Sequence, residues 1–284
     1  MENIVLITGC SRGIGYECAK ILVFNNFKVY ACVRAIEENS DILQLLQKHK
    51  NLVVEELDVT NHGQVDALVE KIIRIEGKID ILINNAAQIL FGLIESVSMQ
   101  QAREIFEVNF FAPLKLIQAV LPYMRKNNSG HIICMGSTSG VVSYPMYGLY
   151  SSTKFAMEAL VFALVGNLLP WNIKVSIFEL SATSTQICEK SLKLGENKLK
   201  EPSYDLYTQN SLSFLKEIIS LGESPQKIAK EILKLIKEKN PPLRYFGTEK
   251  SEKVFIQKLK DPYGARWMKE INLELEWFEK DIKK

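Results

Sequence analysis

The sequence predicts a doubly wound parallel α/β sheet of about seven strands in a three-layer α/β/α arrangement, and three observations predict it. Short β-rich runs alternate with helical patterns from the first residues onward, as expected when crossover helices join parallel strands. Runs such as Ile81-Leu82-Ile83 are continuously apolar, which implies cover on both faces of the sheet. The chemistry-bearing motifs fall just after strands or at the start of the next helix, where such sheets bind ligands beyond their carboxyl ends.

In chain order the strands are expected at Ile4 to Thr8, Lys28 to Arg34, Leu52 to Leu57, Asp80 to Asn84, His131 to Gly136, Lys174 to Leu180 and Leu243 to Phe246. Helical periodicity lies between them, near Gly15 to Phe24, Asp41 to His49, His62 to Ile75, Met99 to Met124, Tyr150 to Leu169 and Pro225 to Lys239. The stretch from Gln186 to Gly222 is too long for an ordinary connection, and its mixed apolar and charged residues suggest short helices forming a lid. One domain over residues 1–249, with this lid at about 186–222, is therefore expected, followed by a helical extension over 250–284. In that extension Trp267, Met268, Ile271, Leu275, Trp277 and Phe278 recur roughly as one helical face. Packing against the domain or a second subunit is the favoured reading of this face, and contact with a membrane surface the less favoured one.

Composition mainly excludes. With 35 Lys and Arg against 33 acidic residues the formal charge is +2, so no nucleic-acid surface is expected. The five cysteines form no C-x-x-C pair and no disulfide framework, pointing to a reducing compartment. The N-terminus shows no leader-like segment, and no apolar run is expected to reach membrane-spanning length; the expected location is the cytoplasm. No metal site is expected.

Thr8-Gly9-Cys10-Ser11-Arg12-Gly13-Ile14-Gly15 follows the first strand and opens a helix. Glycines there permit a tight turn and close approach of the backbone to a pyrophosphate, which the helix-terminal N–H groups can bind. An NAD site usually places a carboxylate at the end of the second strand, but here the strand ends Ala31-Cys32-Val33-Arg34. Arg34 and Arg12 can instead meet a 2′-phosphate through charge-assisted hydrogen bonds, so NADP(H) is the expected cofactor. Glu37 and Glu38 come slightly late and read as loop or helix-start residues. Tyr150-Ser151-Ser152-Thr153-Lys154 opens a helix, and the four-residue interval puts phenol and ammonium on one face. A neighbouring cation favours the phenolate of a tyrosine. Ser137, Ser139 and Ser143 lie at or beyond the end of the fifth strand, where a hydroxyl can polarise a substrate oxygen. Asp58 ends the third strand and reads equally as a turn or cap residue. Asn109 sits within an apolar helix, where its amide needs partners, and satisfying a kink in that helix is the structural reading of it.

Together these segments resemble the short-chain dehydrogenase/reductase family over roughly the first 185 residues: Gly-x-x-x-Gly-x-Gly at Gly9 to Gly15, Asn84-Asn85-Ala86-Ala87, and Tyr150 with Lys154. A narrower resemblance is to its 17-beta-hydroxysteroid and retinol dehydrogenase branch, through Ile7-Thr8-Gly9-Cys10-Ser11, Val29-Tyr30-Ala31, Lys154-Phe155-Ala156-Met157-Glu158 and Leu243-Arg244-Tyr245-Phe246. The resemblance implies a Rossmann-type fold and hydride transfer between NADP(H) and a hydrophobic alcohol, ketone or aldehyde that is steroid-, retinoid- or lipid-like. It implies a catalytic set of Asn109, Ser137, Tyr150 and Lys154, with the serine-to-tyrosine interval selecting Ser137 and Asn109 holding a water that links Lys154 to solvent. The cofactor set it implies, with the two arginines, is Gly9, Ser11, Arg12, Gly13, Ile14, Gly15, Arg34, Asp58, Val59, Asn85, Ala86, Tyr150, Lys154 and Thr185. It also implies a homodimer or homotetramer. The sequence departs from the family at Ala87, which stands in a glycine place, and at Glu179-Leu180-Ser181-Ala182-Thr183-Ser184-Thr185, which lacks Pro-Gly. The histidines are His49, His62 and His131, so the lid has none to position a steroid. The alternative from another class is a non-catalytic NADP(H)-binding sensor or scaffold.

Overall fold

The computed structural model describes residues 2–36, 42, 44–45, 49–185, 187, 191–199, 203–262, 264–266 and 268–269. Strands β1 (Ile4–Thr8), β2 (Lys28–Val33), β3 (Leu52–Glu56), β4 (Ile81–Asn84), β6 (Gly130–Met135), β7 (Ile173–Glu179) and β9 (Arg244–Phe246) form one sheet in the order β3-β2-β1-β4-β6-β7-β9. Every pairing is parallel. The order reverses at β1, between β2 and β4, and the crevice beyond the carboxyl ends at that reversal is where such sheets hold ligands. The seven expected strands are these seven.

Alternation along β1 sends Ile4 and Leu6 to one face and Val5 and Ile7 to the other. The first face packs α2 (His62–Glu76), α4 (Ala112–Lys126) and α5 (Gly148–Leu168), through residues such as Ile72, Val120 and Val161. The second packs α1 (Gly13–Phe24) and α7 (Pro225–Lys237), through Leu22, Ile228 and Ile232. Helix ends follow their side-chain chemistry. Asn61 caps α2 by accepting from Gln64 N, Gly77 closes it in the left-handed conformation, and Ser224 caps α7 ahead of Pro225.

Three expectations change. The helix expected over Met99 to Met124 is α3 (Met99–Phe106) and α4 joined by a π turn at Glu107–Phe111, which centres on Asn109. Among its described residues the lid is built mainly of a strand and one long helix rather than of short helices. It contains β8 (Leu192–Leu194), paired with β5 (Ile89–Phe91) in a second two-stranded parallel sheet, and the long α6 (Ser203–Ser220). Finally, Met99–Lys126 and Gly148–Trp171 are long and apolar enough to cross a membrane by length and composition. Their apolarity comes from two faces: one enters the core, while the other leaves Phe111, Phe155 and Phe162 exposed.

Of the helix expected at Asp41 to His49, Ile42, Gln44 and Leu45 are helical, and residues 41, 43 and 46–48 lie outside the described residues, as do Glu37 and Glu38. The extension begins with α8 (Glu249–Leu259), held by a Thr248–Ser251 capping box. On the expected amphipathic face Met268 is exposed, while Trp267, Ile271, Leu275, Trp277 and Phe278 lie outside the described residues.

Candidate active site

A cavity of about 1420 Å³ opens along the carboxyl ends of the strands and reaches under α6. Its first wall is the turn from β1 into α1. Gly9 and Gly13 have φ of +73° and +59°, the region where a side chain is strained. At Gly15 a Cβ would collide with the Gly9 carbonyl and the Asn85 amide. Arg12 at the N-cap makes no side-chain cap bond, which leaves the first N–H groups of α1 to an anion. The turn is anchored from behind: Cys10 N donates to Cys32 O at 2.9 Å, and the Asn85 amide donates to the carbonyls of Thr8 at 2.8 Å and Gly9 at 3.1 Å. The Thr8 hydroxyl accepts from Asn85 N and Ala86 N, each at 3.1 Å. A dinucleotide pyrophosphate fits this cradle, since the close approaches that exclude side chains leave backbone donors facing the cavity. Ala87, in the family's glycine place, is not among the positive-φ residues, so alanine adopts its backbone without strain.

The same cavity is lined by Ser11, Arg12, Ile14, Arg34, Asp58, Val59, Ala86 and Thr185. Arg34 is exposed at the end of β2, and Arg12 reaches toward the lid, its Nη2 donating to Ser191 Oγ at 3.4 Å. Asp58 is a turn residue as well as a wall residue, because its Oδ1 accepts from Thr60 N at 3.0 Å and Thr60 Oγ1 at 2.7 Å. Thr185 lies against Gly13, 3.5 Å from where a Cβ would stand. Strand register adds an acid that sequence reasoning overlooked. Glu56 lies beside Val33 and accepts from Ile36 N at 3.5 Å, outside the cavity lining.

The opposite wall carries Ser137, Tyr150 and Lys154. Ser137 leaves β6 in extended conformation, its Oγ accepts from Ser139 N at 3.1 Å, and it hydrogen-bonds the Tyr150 hydroxyl. Ser139 also lines the cavity, whereas Ser143 does not. Burial pushes Tyr150 up to about 12, with the Ser137 hydrogen bond opposing the rise. Lys154 stands one turn away, with Nζ 5.9 Å from the Tyr150 ring centre and donating to Met135 O at 2.8 Å. Burial lowers Lys154 to about 8, against the opposing charge of Glu179. The expected cation beside the phenol is present, but it is anchored on a carbonyl rather than on the phenolic oxygen. Asn109 is buried and does not line the cavity, although its neighbours Glu107 and Val108 do. Its amide accepts from Gln88 N at 2.9 Å and donates to Gln88 O at 2.9 Å and Thr153 Oγ1 at 3.2 Å. The side chain thus ties the π turn to Gln88, just before β5 (Ile89–Phe91), and to α5.

Beyond Tyr150 the cavity is apolar. Ile89, Phe91, Met146 and Leu215 form a buried cluster with Tyr147, Leu192 and Tyr207 around it. Met146 has φ of +67°, a strained conformation for its side-chain type, and its carbonyl accepts from Gly92 N at 2.9 Å. Sequence reasoning missed this cluster. Its local signals were the apolar triplet Ile89-Leu90-Phe91 and the lid aromatics Tyr204, Tyr207 and Phe214, which report apolarity without shape.

The fold and these two walls define a nucleotide-dependent oxidoreductase site: an anion cradle facing a serine, a tyrosine and a lysine across one cleft. The chain belongs to the short-chain dehydrogenase family, whose profile matches residues 3–194. It is 30% identical to human 17-beta-hydroxysteroid dehydrogenase type 1, over 96% of this chain and 86% of that one. It is 35% identical to 3-ketodihydrosphingosine reductase of Bacteroides thetaiotaomicron, over 85% of this chain and 86% of that one. A short-chain dehydrogenase from Streptomyces avermitilis superposes with a TM-score of 0.81 at 25% identity, covering 99% of this chain and 97% of that chain. The protein is therefore an oxidoreductase that uses a nicotinamide cofactor and acts on CH–OH donors or their carbonyl products.

Proposed function

We propose that the protein is an NADP(H)-dependent reductase of an apolar ketone or aldehyde, running in the reducing direction under a cellular NADPH pool. The observation that carries the reading is the joining of the glycine cradle, the Ser137–Tyr150 pair and the apolar cluster under α6 in one cavity. Gly9, Ser11, Gly13, Ile14 and Gly15 would hold the pyrophosphate, Asp58 and Val59 the adenine end, and Asn85, Ala86, Lys154 and Thr185 the nicotinamide end. When bound, the nicotinamide supplies or accepts hydride. The Ser137 and Tyr150 hydroxyls bind the substrate oxygen. Tyr150 passes its proton to that oxygen as negative charge develops there, its raised pKa keeping the phenol protonated at neutral pH. Lys154, buried and titrating near neutrality, replenishes the proton. The π turn held by Asn109 is the route we assign to solvent.

The NADP(H) preference rests on Arg12 and Arg34 lining one cavity, with the Glu56 carboxylate outside it. Arg12→Ala with Arg34→Ala should weaken NADPH about tenfold or more, because hydrogen bonds to a charged phosphate contribute roughly 1.5–3 kcal/mol each, while NADH binding changes little. Equal losses in a fluorescence titration would remove the 2′-phosphate argument. The substrate class rests on the aromatic and aliphatic lining, and a steroid-like or long-chain lipid-like ketone fits relatives named for such substrates. The exposed aromatics Phe111, Phe155 and Phe162 support a homodimer, which light scattering would test. We place the enzyme in the cytoplasm, consistent with the free, buried thiols of Cys10, Cys18, Cys32 and Cys134 among the described residues.

A further inference from the structure

Under the active-site serine lies a group of charges that the reaction above does not use. Glu179 ends β7 fully buried, Glu158 projects from α5 one turn beyond Lys154, and Arg244 begins β9. Arg244 donates through Nη2 to Glu158 Oε2 and through Nε to Glu179 Oε1 at 3.3 Å. Its guanidinium is 4.8 Å from the ring centres of both Phe162 and Phe255, which fixes its plane. The remaining carboxylate oxygens, Glu158 Oε1 and Glu179 Oε2, are buried and accept no hydrogen bond. These two oxygens press against the serine turn: a Cβ on Gly136 would collide with Glu179, and one on Gly140 would stand 3.2 Å from Glu158 Cγ. The turn from Gly136 to Gly140, with Ser137 in it, therefore rests on the two carboxyls.

Two buried carboxylates against one guanidinium leave a surplus negative charge in a low-dielectric site, and such pairs lower their energy by sharing a proton. We propose that Glu158, Glu179 and Arg244 form a positioning unit in which the two carboxyls hold one proton between them, seat the Ser137 turn and tune the charge on Lys154. The charged groups facing the pair are Lys154 of α5 and Arg244 of β9, with α8 contributing Phe255 against the guanidinium and Cys134 of β6 lying near Lys154. Burial and the neighbouring Glu158 push Glu179 up to about 10, in keeping with a proton held at neutral pH. Because the proton is shared, Glu179 keeps part of the pair's remaining negative charge, and that part supports the Lys154 ammonium.

The inference deepens the proposed reaction and rests on it, yet its decisive readouts need no turnover. Infrared difference spectra of the whole ligand-free protein at pH 7 should show a protonated-carboxyl stretch that both Glu158→Gln and Glu179→Gln abolish. The two amide variants should also move Lys154 in opposite directions, followed by NMR of its Nζ. Glu158→Gln leaves the ionised charge on Glu179 and raises the lysine midpoint, whereas Glu179→Gln leaves it on Glu158 and lowers it, each by about half a pH unit. Absence of the carboxyl stretch, or shifts of the same sign, would overturn the unit while leaving the oxidoreductase reading intact. Where turnover is measurable, Glu179→Gln should change kcat and its pH profile with KM and NADPH affinity held within about threefold. A loss of melting temperature with an unchanged pH profile would reduce these residues to structural support and overturn the positioning role.

Discussion

The two ends of the cavity are built in different ways. At the cofactor end, Gly9, Gly13 and Gly15 lie within seven residues of chain, and the turn is locked by backbone bonds to Cys32 and side-chain bonds from Asn85. At the substrate end the wall gathers β5, the loop through Met146, β8 and α6, segments separated by tens of residues; backbone bonds join β5 to β8 and to the Met146 loop, while α6 enters the apolar cluster through side chains such as Leu215. Backbone hydrogen bonding in a tight turn admits few alternatives, so the cofactor end tolerates little change. An apolar wall needs only suitable volume, so the substrate end can be rebuilt without losing the fold.

That contrast is broken most forcefully at the point where the two ends meet. Tyr150→Phe removes the hydroxyl that Ser137 contacts and leaves the ring in place. The kcat for ketone reduction should fall by about 10²–10⁴, the usual contribution of a positioned acid or base, while NADPH titration stays within about threefold. If turnover persisted across apolar ketones and aldehydes, Tyr150 would not be the proton donor and the two ends would not be joined by chemistry.

Lys154 sharpens the comparison by putting stability and function in opposition. An ordinary lysine keeps its proton to about 10.5, but the buried ammonium of Lys154 loses it near 8. Below pH 8 both folded and unfolded chains carry the charge, and the burial penalty, about 3 kcal/mol for that difference in pKa, opposes folding in full. Between about 8 and 10.5 the folded state gives up its proton first, the penalty fades, and stability rises with pH. Lys154→Met should therefore abolish turnover yet raise the melting temperature of the ligand-free protein at pH 7, less the contribution of the lost bond to Met135 O. The gain should shrink toward pH 10. A melting temperature that falls at pH 7 would show that the lysine is held by attraction rather than tolerated for its chemistry.

At the cofactor end itself, Gly15→Ala places a methyl group against the Gly9 carbonyl and the Asn85 amide. The turn must open to admit it, so NADPH affinity should fall about ten- to a hundredfold, roughly 1.4–2.8 kcal/mol. Near-normal binding by fluorescence titration would mean that the cradle is softer than its backbone bonds imply.

The same distinction governs what was legible in the sequence. Gly9 to Gly15 and the Tyr150–Lys154 interval could be read because each depends on neighbours a few residues away, Asn85 and Ser137 were reached through the family resemblance, and the seven strands could be read from their apolar, β-rich runs. A kink at Asn109 could be expected from its buried amide, but the π turn was not legible as such, since that amide bonds the Gln88 backbone, 21 residues distant, in a stretch whose periodicity is helical throughout. Nor was β8, where Leu192-Lys193-Leu194 becomes a strand only by pairing with Ile89-Leu90-Phe91. Arg244 looked like part of a terminal strand, and only the fold shows it bridging Glu158 and Glu179 beneath the serine turn.

The smallest effect is expected on α6, at the substrate end. Phe214 and Leu215 are adjacent and both line the cavity, but Phe214 is 43% exposed and Leu215 5%. Leu215→Ala removes a buried side chain from the cluster with Phe91 and Met146 and should cost about 2–4 kcal/mol of stability. Phe214→Ala removes a side chain that water already reaches, so the melting temperature should hardly move. The change should appear instead as a rise in KM of about threefold for long apolar ketones, under 1 kcal/mol of lost contact, with NADPH affinity and kcat unchanged. If Phe214→Ala left KM unaltered across a chain-length series, α6 would be a structural cover over the Leu215 cluster and the apolar substrate would be recognised by Ile89, Phe91 and Tyr147.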